Sequence, residues 1–508
     1  MNHIIKKIQD WSQAYPDRLC FDGVNDQLTY QELEHYSNQL AEYLAVNFPN
    51  KQGIVVYGGQ TSQMIISFLA CTKSGHGYIP VDQHTPVDRL EMIVKESGAT
   101  AVISVAEWPL ASGSMIVEQE QLTAICQGTA NTETNVVKLQ PVLDEAIYYT
   151  IYTSGTTGKP KGVQITYNNL ISYTDWMVAD FHLTEGQRFL CQAPFSFDLS
   201  VMDLYPALLT GGTLVPLEKD VVDSFPTLFK MLPTLDLNVW VSTPSMMEIC
   251  LLSPEFDSEH LPTLENFQFC GEELPRKTAI KLMERFPNAY IFNTYGPTEA
   301  TVAITEVQLT SEIIDSVDRL PLGRVKSDTR LLIMSDAGDV LPDGELGEIV
   351  IVGPSVSVGY FNNPEKTAEA FFTYEGERAY HTGDVGVIKD GYLFYKGRLD
   401  FQVKWNGYRI ELGDIDHHLL AIEGIRNACV VPKYNRLHKV QQLIAYVVVE
   451  SSLANLEQKE FVKELKAQLS QTVMDYMVPQ KFVLVDALPL TSNGKVDRKK
   501  LIQEVNGQ

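Results

Sequence analysis

Apolar and polar positions along the chain follow two rhythms that take turns. Leu33, Tyr36, Leu40 and Leu44 recur at the spacing of one helix face, and Thr29 with Glu32 has the form of a capping box, so a helix is predicted to begin there. "GIVVYGG" then reads as a buried strand, "TSQMIISFLACTKSG" as a helix, "TPVDRLEMIVKESGA" as a helix opened by Pro86, and "TAVISV" as a strand. The same succession returns in "RFLCQA", "LSVMDLYPALLTGG" and "TLVPL". It returns again in "LNVWVST", "PSMMEICLL", "FQFCG", "PRKTAIKLMERFP" and "AYIFNTYG". Strand and helix in turn predict an α/β fold with largely parallel, helix-covered sheets.

From about residue 345 the pattern changes, because "GELGEIVIVGPSVSVGYF" and "GYLFYKGRLDFQVKW" are dense in β-formers and turn glycines. After Asp400 a small α+β pattern restarts, with "GDIDHHLLAIEGI" and "LEQKEFVKELKAQLSQTV" helical and "NACVVP" and "LIAYVVVE" as strands. The expected organisation is a large domain over 1–399, whose β-rich part is about 345–399, and a small C-terminal domain over 400–508.

Composition narrows the function classes. With 508 residues, 44% hydrophobic and 20% charged, the chain suits a globular multi-domain protein. A formal charge of −24 argues against nucleic acid or an anionic membrane as partner, since both demand a basic footprint. The seven cysteines form no CxxC pair, so neither a disulfide framework nor a zinc site is suggested, and a reducing cytoplasm fits. No signal peptide or membrane-spanning stretch is expected. His417 and His418, the one adjacent histidine pair, point to different faces of a helix and do not suggest a metal site.

In parallel α/β folds ligands sit at the loops leaving the carboxyl ends of strands. Three such loops are rich in glycine or hydroxyls: 153–162, 270–274 and 294–299. The first, "YTSGTTGKPKG", offers Thr153, Ser154, Gly155, Thr156, Thr157, Gly158 and Lys159, with Lys161 close behind, as a backbone nest for phosphate. It is not a Walker A loop, because only Thr156 and Thr157 separate Gly155 from Gly158 and a proline follows Lys159.

"YTSGTTGKPKG", "NTYGPTE" at 293–299, "HTGD" at 381–384, "YKGRLDFQVKWNGYRIELGDI" at 395–415 and "LPLTSNGKVDR" at 488–498, in that order, resemble the core motifs of the adenylate-forming superfamily. That superfamily includes acyl-CoA synthetases, luciferases and the adenylation domains of peptide synthetases, and the resemblance spans essentially the whole chain. It implies ATP with Mg2+, activation of a carboxylate as an acyl-adenylate, and transfer to a thiol. Residues 153–159 would then hold the β- and γ-phosphates. Asn293, Thr294, Tyr295, Gly296, Pro297 and Thr298 would border the adenine, with Tyr295 stacked on it and Asn293 at its edge. Glu299 would help to hold the metal. Asp384 would take the ribose, beside Tyr395, Lys396, Gly397 and Arg398. Lys495 would be the catalytic lysine, neutralising charge on the α-phosphate and the substrate carboxylate, and the small domain would be mobile about a hinge at Asp400.

Within the superfamily the chain resembles the ligases that load D-alanine onto a carrier protein for teichoic-acid esterification. Asp198 in "FSFDLSVMDLYP" would pair with the substrate ammonium, and Lys495 would meet its carboxylate. Cys270 would occupy the space an L-methyl needs, and Val302 would line the place of the D-methyl. The motifs contain no Leu-Gly-Gly-x-Ser signature, so the expected acceptor is a separate, acidic phosphopantetheinyl carrier protein, with "KVDRKK" at 495–500 as a candidate docking patch. Helix capping by Asp198, ordinary packing of Tyr295 and a plain core thiol at Cys270 remain the bland alternatives. A ligase for another small amino acid, or an acyl-CoA or aryl-CoA ligase, is the rival function. Cys270 and the pair Trp405 and Asn406 depart from the common peptide-synthetase pattern.

Overall fold

Thr29 and Glu32 form the expected reciprocal cap, and the helix Tyr30–Asn47 runs from it with Leu33, Leu40 and Leu44 buried. In the computed structural model the described residues are 2–99, 101–111, 115–129, 138–155, 159–435, 439–450, 458–491 and 495–507. Thr156, Thr157 and Gly158 of the phosphate-loop motif lie outside them. The chain divides into two units. The first comprises Met1–Gln83, Ser97–Ile151 and Gly162–Leu399, and the second His84–Glu96, Tyr152–Lys161 and Asp400–Gln508. Two segments of the first 399 residues thus group with the C-terminal part.

A nine-stranded sheet forms the centre of the first unit. Its interior strands Leu19–Asp22, Thr213–Pro216, Arg188–Cys191, Val239–Ser242, Asn266–Phe269 and Tyr290–Tyr295 pair in parallel. Antiparallel strands close both edges. The parallel strands are buried nearly throughout, as helix-covered strands must be. Their register decides where the chemistry sits: Ser242 pairs with Phe269 and Phe269 with Asn293, so the loops that follow emerge side by side.

A second, six-stranded sheet is ordered Met115–Val117, Ala101–Ser104, Ile54–Gly58, Tyr78–Asp82, Ile147–Thr153, Lys161–Thr166. The third sheet is antiparallel and contains Arg330–Met334, Gly347–Val352, Phe371–Tyr374, Glu377–Lys389 and Tyr392–Arg398.

One predicted helix is broken. "LSVMDLYPALLTGG" opens with a 3-10 turn, Asp198–Ser200, before the helix Val201–Leu209, which carries Pro206 inside it. The proline lacks the N–H of a helical bond, and the helix that carries it is buried along its whole length.

In the second unit the hairpin Gln402–Trp405 and Tyr408–Glu411 precedes a three-stranded sheet of Ile425–Tyr434, Val440–Val449 and Lys481–Leu484. The hairpin turn explains Asn406: Asn406 and Gly407 stand at φ 51° and 85°, the two left-handed positions of a type I′ turn, which favours Asn-Gly. Trp405 packs against the core of the same unit. Among the described residues no helix is long and apolar enough to cross a membrane.

Candidate active site

The best-defined group of the first unit centres on Asp384, which is 2% exposed. Asp384 and Arg398 are register partners on neighbouring antiparallel strands, which brings the Arg398 Nη1 within 2.5 Å of Asp384 Oδ1. The Tyr295 hydroxyl donates to Asp384 Oδ2 at 2.6 Å. A carboxylate this deep needs both partners, because desolvating an unmatched charge costs several kcal/mol. Burial first, and then the Asp384 charge, holds the Tyr295 phenol well above its ordinary pKa, so it stays a donor. The Tyr295 ring packs in a core that includes Ala300, Ile304 and Leu322.

The strand ending at Tyr295 delivers two further candidates. Thr294 Oγ1 donates to the Phe269 carbonyl at 2.8 Å and ties the neighbouring strand ends together. Asn293 Nδ2 donates to the Pro321 carbonyl at 2.7 Å, while its buried Oδ1 has no hydrogen-bond partner among the described residues. At Gly296 a Cβ would stand 2.5 Å from Ala303 Cα, so no larger residue fits. Pro297 then leads into the 3-10 turn Thr298–Ala300, in which Glu299 is fully buried and accepts from the Tyr360 hydroxyl at 2.8 Å.

Thr301 and Val302 follow with φ of 59° and 69°. Two successive non-glycine residues in the left-handed region are a stored strain. The Thr301 hydroxyl, bonded to the Ser355 carbonyl at 2.8 Å, holds it in place. The result is that the Val302 carbonyl faces Cys270 Sγ at 3.7 Å. Residues 32 positions apart in the chain, both singled out for the substrate pocket, therefore meet.

Asp198 is the first residue of its 3-10 turn, and the N-cap positions of that turn and of the helix after it are Phe197 and Ser200. The Asp198 charge raises the pKa of the buried Tyr149 and Tyr173 phenols beyond the larger effect of burial, and Tyr173 also feels Cys270. The hydroxyls of Tyr149 and Tyr173 have no hydrogen-bond partner among the described residues. Sequence reasoning missed both tyrosines; the one signal for Tyr149 was the aromatic-rich strand "AIYYTI" leading into the phosphate loop, and Tyr173, in the helix Tyr167–Asp180, had none.

In the second unit Thr153 ends its strand, and Ser154 Oγ donates to the Arg409 carbonyl at 3.0 Å. Gly155 lies in a closed bend, where a Cβ would meet the Lys159 carbonyl oxygen at 2.1 Å. Lys159 is exposed and pairs with Glu96 at 3.3 Å, a contact of small energetic weight. Lys161 is mostly buried, with Nζ 3.9 Å from Glu411 Oε1. Lys495 is exposed in a turn closed by the Thr491 N–H on the Lys495 carbonyl at 2.7 Å. Within this unit, then, the loop's Ser154 is bonded to the hairpin strand Tyr408–Glu411, while Lys495 stands at the surface. Asp400, also exposed, accepts from the Gln402 N–H at 3.1 Å. In the first unit, Tyr395 is largely buried beneath the Arg319 guanidinium, Lys396 is exposed, and Gly397 has φ 138°.

A family model described as "AMP-binding enzyme" matches residues 8–361, and one described as "AMP-binding enzyme C-terminal domain" matches residues 414–495. The chain belongs to the AMP-binding enzyme family. Among its relatives within that family, a D-alanine--D-alanyl carrier protein ligase of Lactiplantibacillus plantarum is 49% identical, over 100% of this chain and 99% of the relative. A ligase of the same name from Listeria welshimeri is 47% identical, over 99% of each chain. The fold is also that of an adenylation domain from Vibrio cholerae solved in complex with glycyl-adenosine-5'-phosphate. That structure superposes with a TM-score of 0.80 at 22% identity, covering 100% of this chain and 98% of the other. As an AMP-binding enzyme the chain carries adenylate-forming chemistry on an α/β scaffold.

Proposed function

We propose that this AMP-binding enzyme activates D-alanine with ATP and passes the D-alanyl group to the phosphopantetheine thiol of a separate, acidic carrier protein, feeding D-alanylation of teichoic acid from the cytoplasm. The substrate carboxylate attacks the α-phosphorus, pyrophosphate leaves, and the carrier thiol then displaces AMP from the acyl carbon. The nucleophile of each step is a reactant, so the protein supplies position and charge rather than a nucleophile of its own.

One observation carries the choice of substrate: the Cys270 thiol lies 3.7 Å from the Val302 carbonyl, and Cys270 acts on the buried Tyr173 phenol together with two carboxylates, Asp203 and, from the substrate motif, Asp198. Asp198 would hold an α-ammonium, which a fatty or aryl acid lacks. The nucleotide fits the remaining groups. Asn293 Oδ1, buried without a partner, is an acceptor suited to the adenine amine. Leaving such an atom unmet costs about 1–3 kcal/mol, which a bound base would recover. Asp384 would take the ribose hydroxyls, and Ser154 with Lys161 the phosphates.

Magnesium fits as a shared ion. Glu299 is a hard oxygen donor, and no three His, Cys, Asp or Glu side chains cluster as metal ligands among the described residues. Mg2+ is commonly held by one or two carboxylates together with substrate phosphates and water, so Glu299 would be the protein's ligand.

The deciding experiment is ATP–pyrophosphate exchange with D-alanine, L-alanine and acetate, followed by loading of a phosphopantetheinyl carrier protein or of coenzyme A. D-Alanine is expected to support the fastest exchange, and the carrier protein to be acylated. Faster exchange with acetate, or transfer to coenzyme A in preference to the carrier, would overturn the reading in favour of an acyl-CoA ligase.

A further inference from the structure

The strands Gly347–Val352 and Glu377–Lys389 lose their register at one place. Val350 pairs with His381 and Glu348 with Val385, so Thr382, Gly383 and Asp384 bulge opposite Ile349 alone. Gly383 takes φ 68° in this bulge. A bulge re-aims the side chain that follows it, and here that side chain is the Asp384 carboxylate. Three contacts hold the bulge from below. Glu348 Oε1 accepts the Gly383 N–H at 2.9 Å, and Glu348 Oε2 lies 2.9 Å from His381 Nδ1, while Thr382 Oγ1 donates to the Ile349 carbonyl at 2.7 Å. The His381 ring is in turn stacked on Phe372 at 4.6 Å between centroids. Thr382 Oγ1 also accepts the Asp384 N–H at 3.0 Å. Tyr295 and Arg398 thus orient the Asp384 carboxylate, and Glu348 anchors the backbone that carries it.

We propose that Glu348 is a positioning residue for nucleotide recognition: by bridging the Gly383 N–H and the His381 ring, it fixes the Thr382–Asp384 bulge so that Asp384 presents its carboxylate to the two ribose hydroxyls. This rests on the reading that Asp384 takes the ribose. Although burial works the other way, the hydrogen bonds from His381 and the Gly383 N–H keep the Glu348 carboxyl below its ordinary range and therefore ionised as an acceptor. A charged acceptor at both contacts makes them stronger than neutral hydrogen bonds.

The test compares ATP with 2′,3′-dideoxy-ATP, which lacks both hydroxyls, in the exchange reaction of the full chain. The substitution Glu348→Met keeps the side chain's length and removes its acceptors. It is expected to raise KM for ATP about 10-fold, as loss of a hydrogen bond to a charged group does, and to leave kcat/KM for dideoxy-ATP within about twofold. Glu348→Gln, which keeps an acceptor for the Gly383 N–H, is expected to restore most of the preference for ATP. His381→Phe removes the second anchor at a partly exposed site and is expected to reduce the preference about threefold, which keeps the inference testable if Glu348→Met does not fold. Equal losses with both nucleotides, or an unchanged preference for ATP in Glu348→Met and His381→Phe, would overturn the role assigned to Glu348. Asp384→Ala separates the two readings. If it keeps the wild-type preference for ATP, the ribose assignment itself fails; if it abolishes the preference and the Glu348 and His381 variants do not reduce it, only the positioning role fails.

Discussion

Asp414 offers a test that runs from a single buried atom pair to a measurable pH profile. It lies in the helix Leu412–Leu420 with no exposed surface, and neither of its carboxylate oxygens has a hydrogen-bond partner among the described residues. His418 Nε2 stands 3.8 Å from Oδ1, beyond bonding distance. Burial lifts the carboxyl from 3.8 to about 6; the positive charge of Arg89 opposes the shift and the negative charge of Glu411 adds to it. A folded-state pKa above the unfolded one means that the folded chain binds more protons between about pH 4 and 6. The stability contributed by this group is therefore fully present below about pH 4 and is lost as pH rises through about 6. A shift of about two units at about 1.4 kcal/mol each amounts to about 3 kcal/mol. Asp414→Asn keeps the shape and removes the titration, so at pH 7.5 it should stabilise the second unit by up to about 3 kcal/mol, and at pH 4 by almost nothing. Urea unfolding of both proteins at pH 5, 6 and 7.5 reads the difference directly. If Asp414→Asn were less stable at pH 7.5, or shifted equally at every pH, the carboxylate would be charged and matched in the fold and the reasoning would be wrong.

Three predictions concern the proposed reaction. Cys270→Ala should raise kcat/KM for L-alanine by roughly 10- to 200-fold, the range that one methyl against a packed side chain allows, and leave D-alanine within a few-fold; an unmoved selectivity would place Cys270 outside the substrate pocket. Lys495→Ala should slow adenylate formation by about two to three powers of ten and largely spare transfer from supplied alanyl-adenylate, since the charge it meets has left by the second step. Equal losses in both half-reactions would remove that role. Asp400→Pro, which fixes φ at the proposed hinge, should keep pyrophosphate exchange and lose carrier loading, and normal loading by this variant would show that no pivot lies there.

Much of the fold was legible in the sequence because the signals were local. The Thr29–Glu32 cap, the alternation of buried strands with amphipathic helices and the glycine-rich loop after a strand each depend on residues within a few positions of one another. The Asn406–Gly407 turn is equally local, since an Asn-Gly pair between two short strands is itself a hairpin signal. The 3-10 break at Asp198 was not legible in the same way. A run of apolar residues predicts a helix, and only the packing around it decides where the first turn tightens.

The site belongs to the other class. No window of sequence places the Tyr295 hydroxyl on Asp384, 89 residues later, or Ser154 on the Arg409 carbonyl, 255 residues away. The register that sets Phe269 beside Asn293 brings Cys270 and Val302 to one edge, and the strained pair Thr301 and Val302 turns a carbonyl toward the thiol. Glu348 reads in the sequence as one more strand carboxylate; its partners His381 and Gly383 appear only when the two strands pair with a bulge. Asp414 likewise reads as a helix-surface residue, and its raised pKa exists only because packing removes it from water. Periodicity and capping are determined by neighbours along the chain. Strand register, burial and the matching of buried polar groups are decided by the free energy of packing whole sheets, in which residues far apart in sequence must together lose water and find partners.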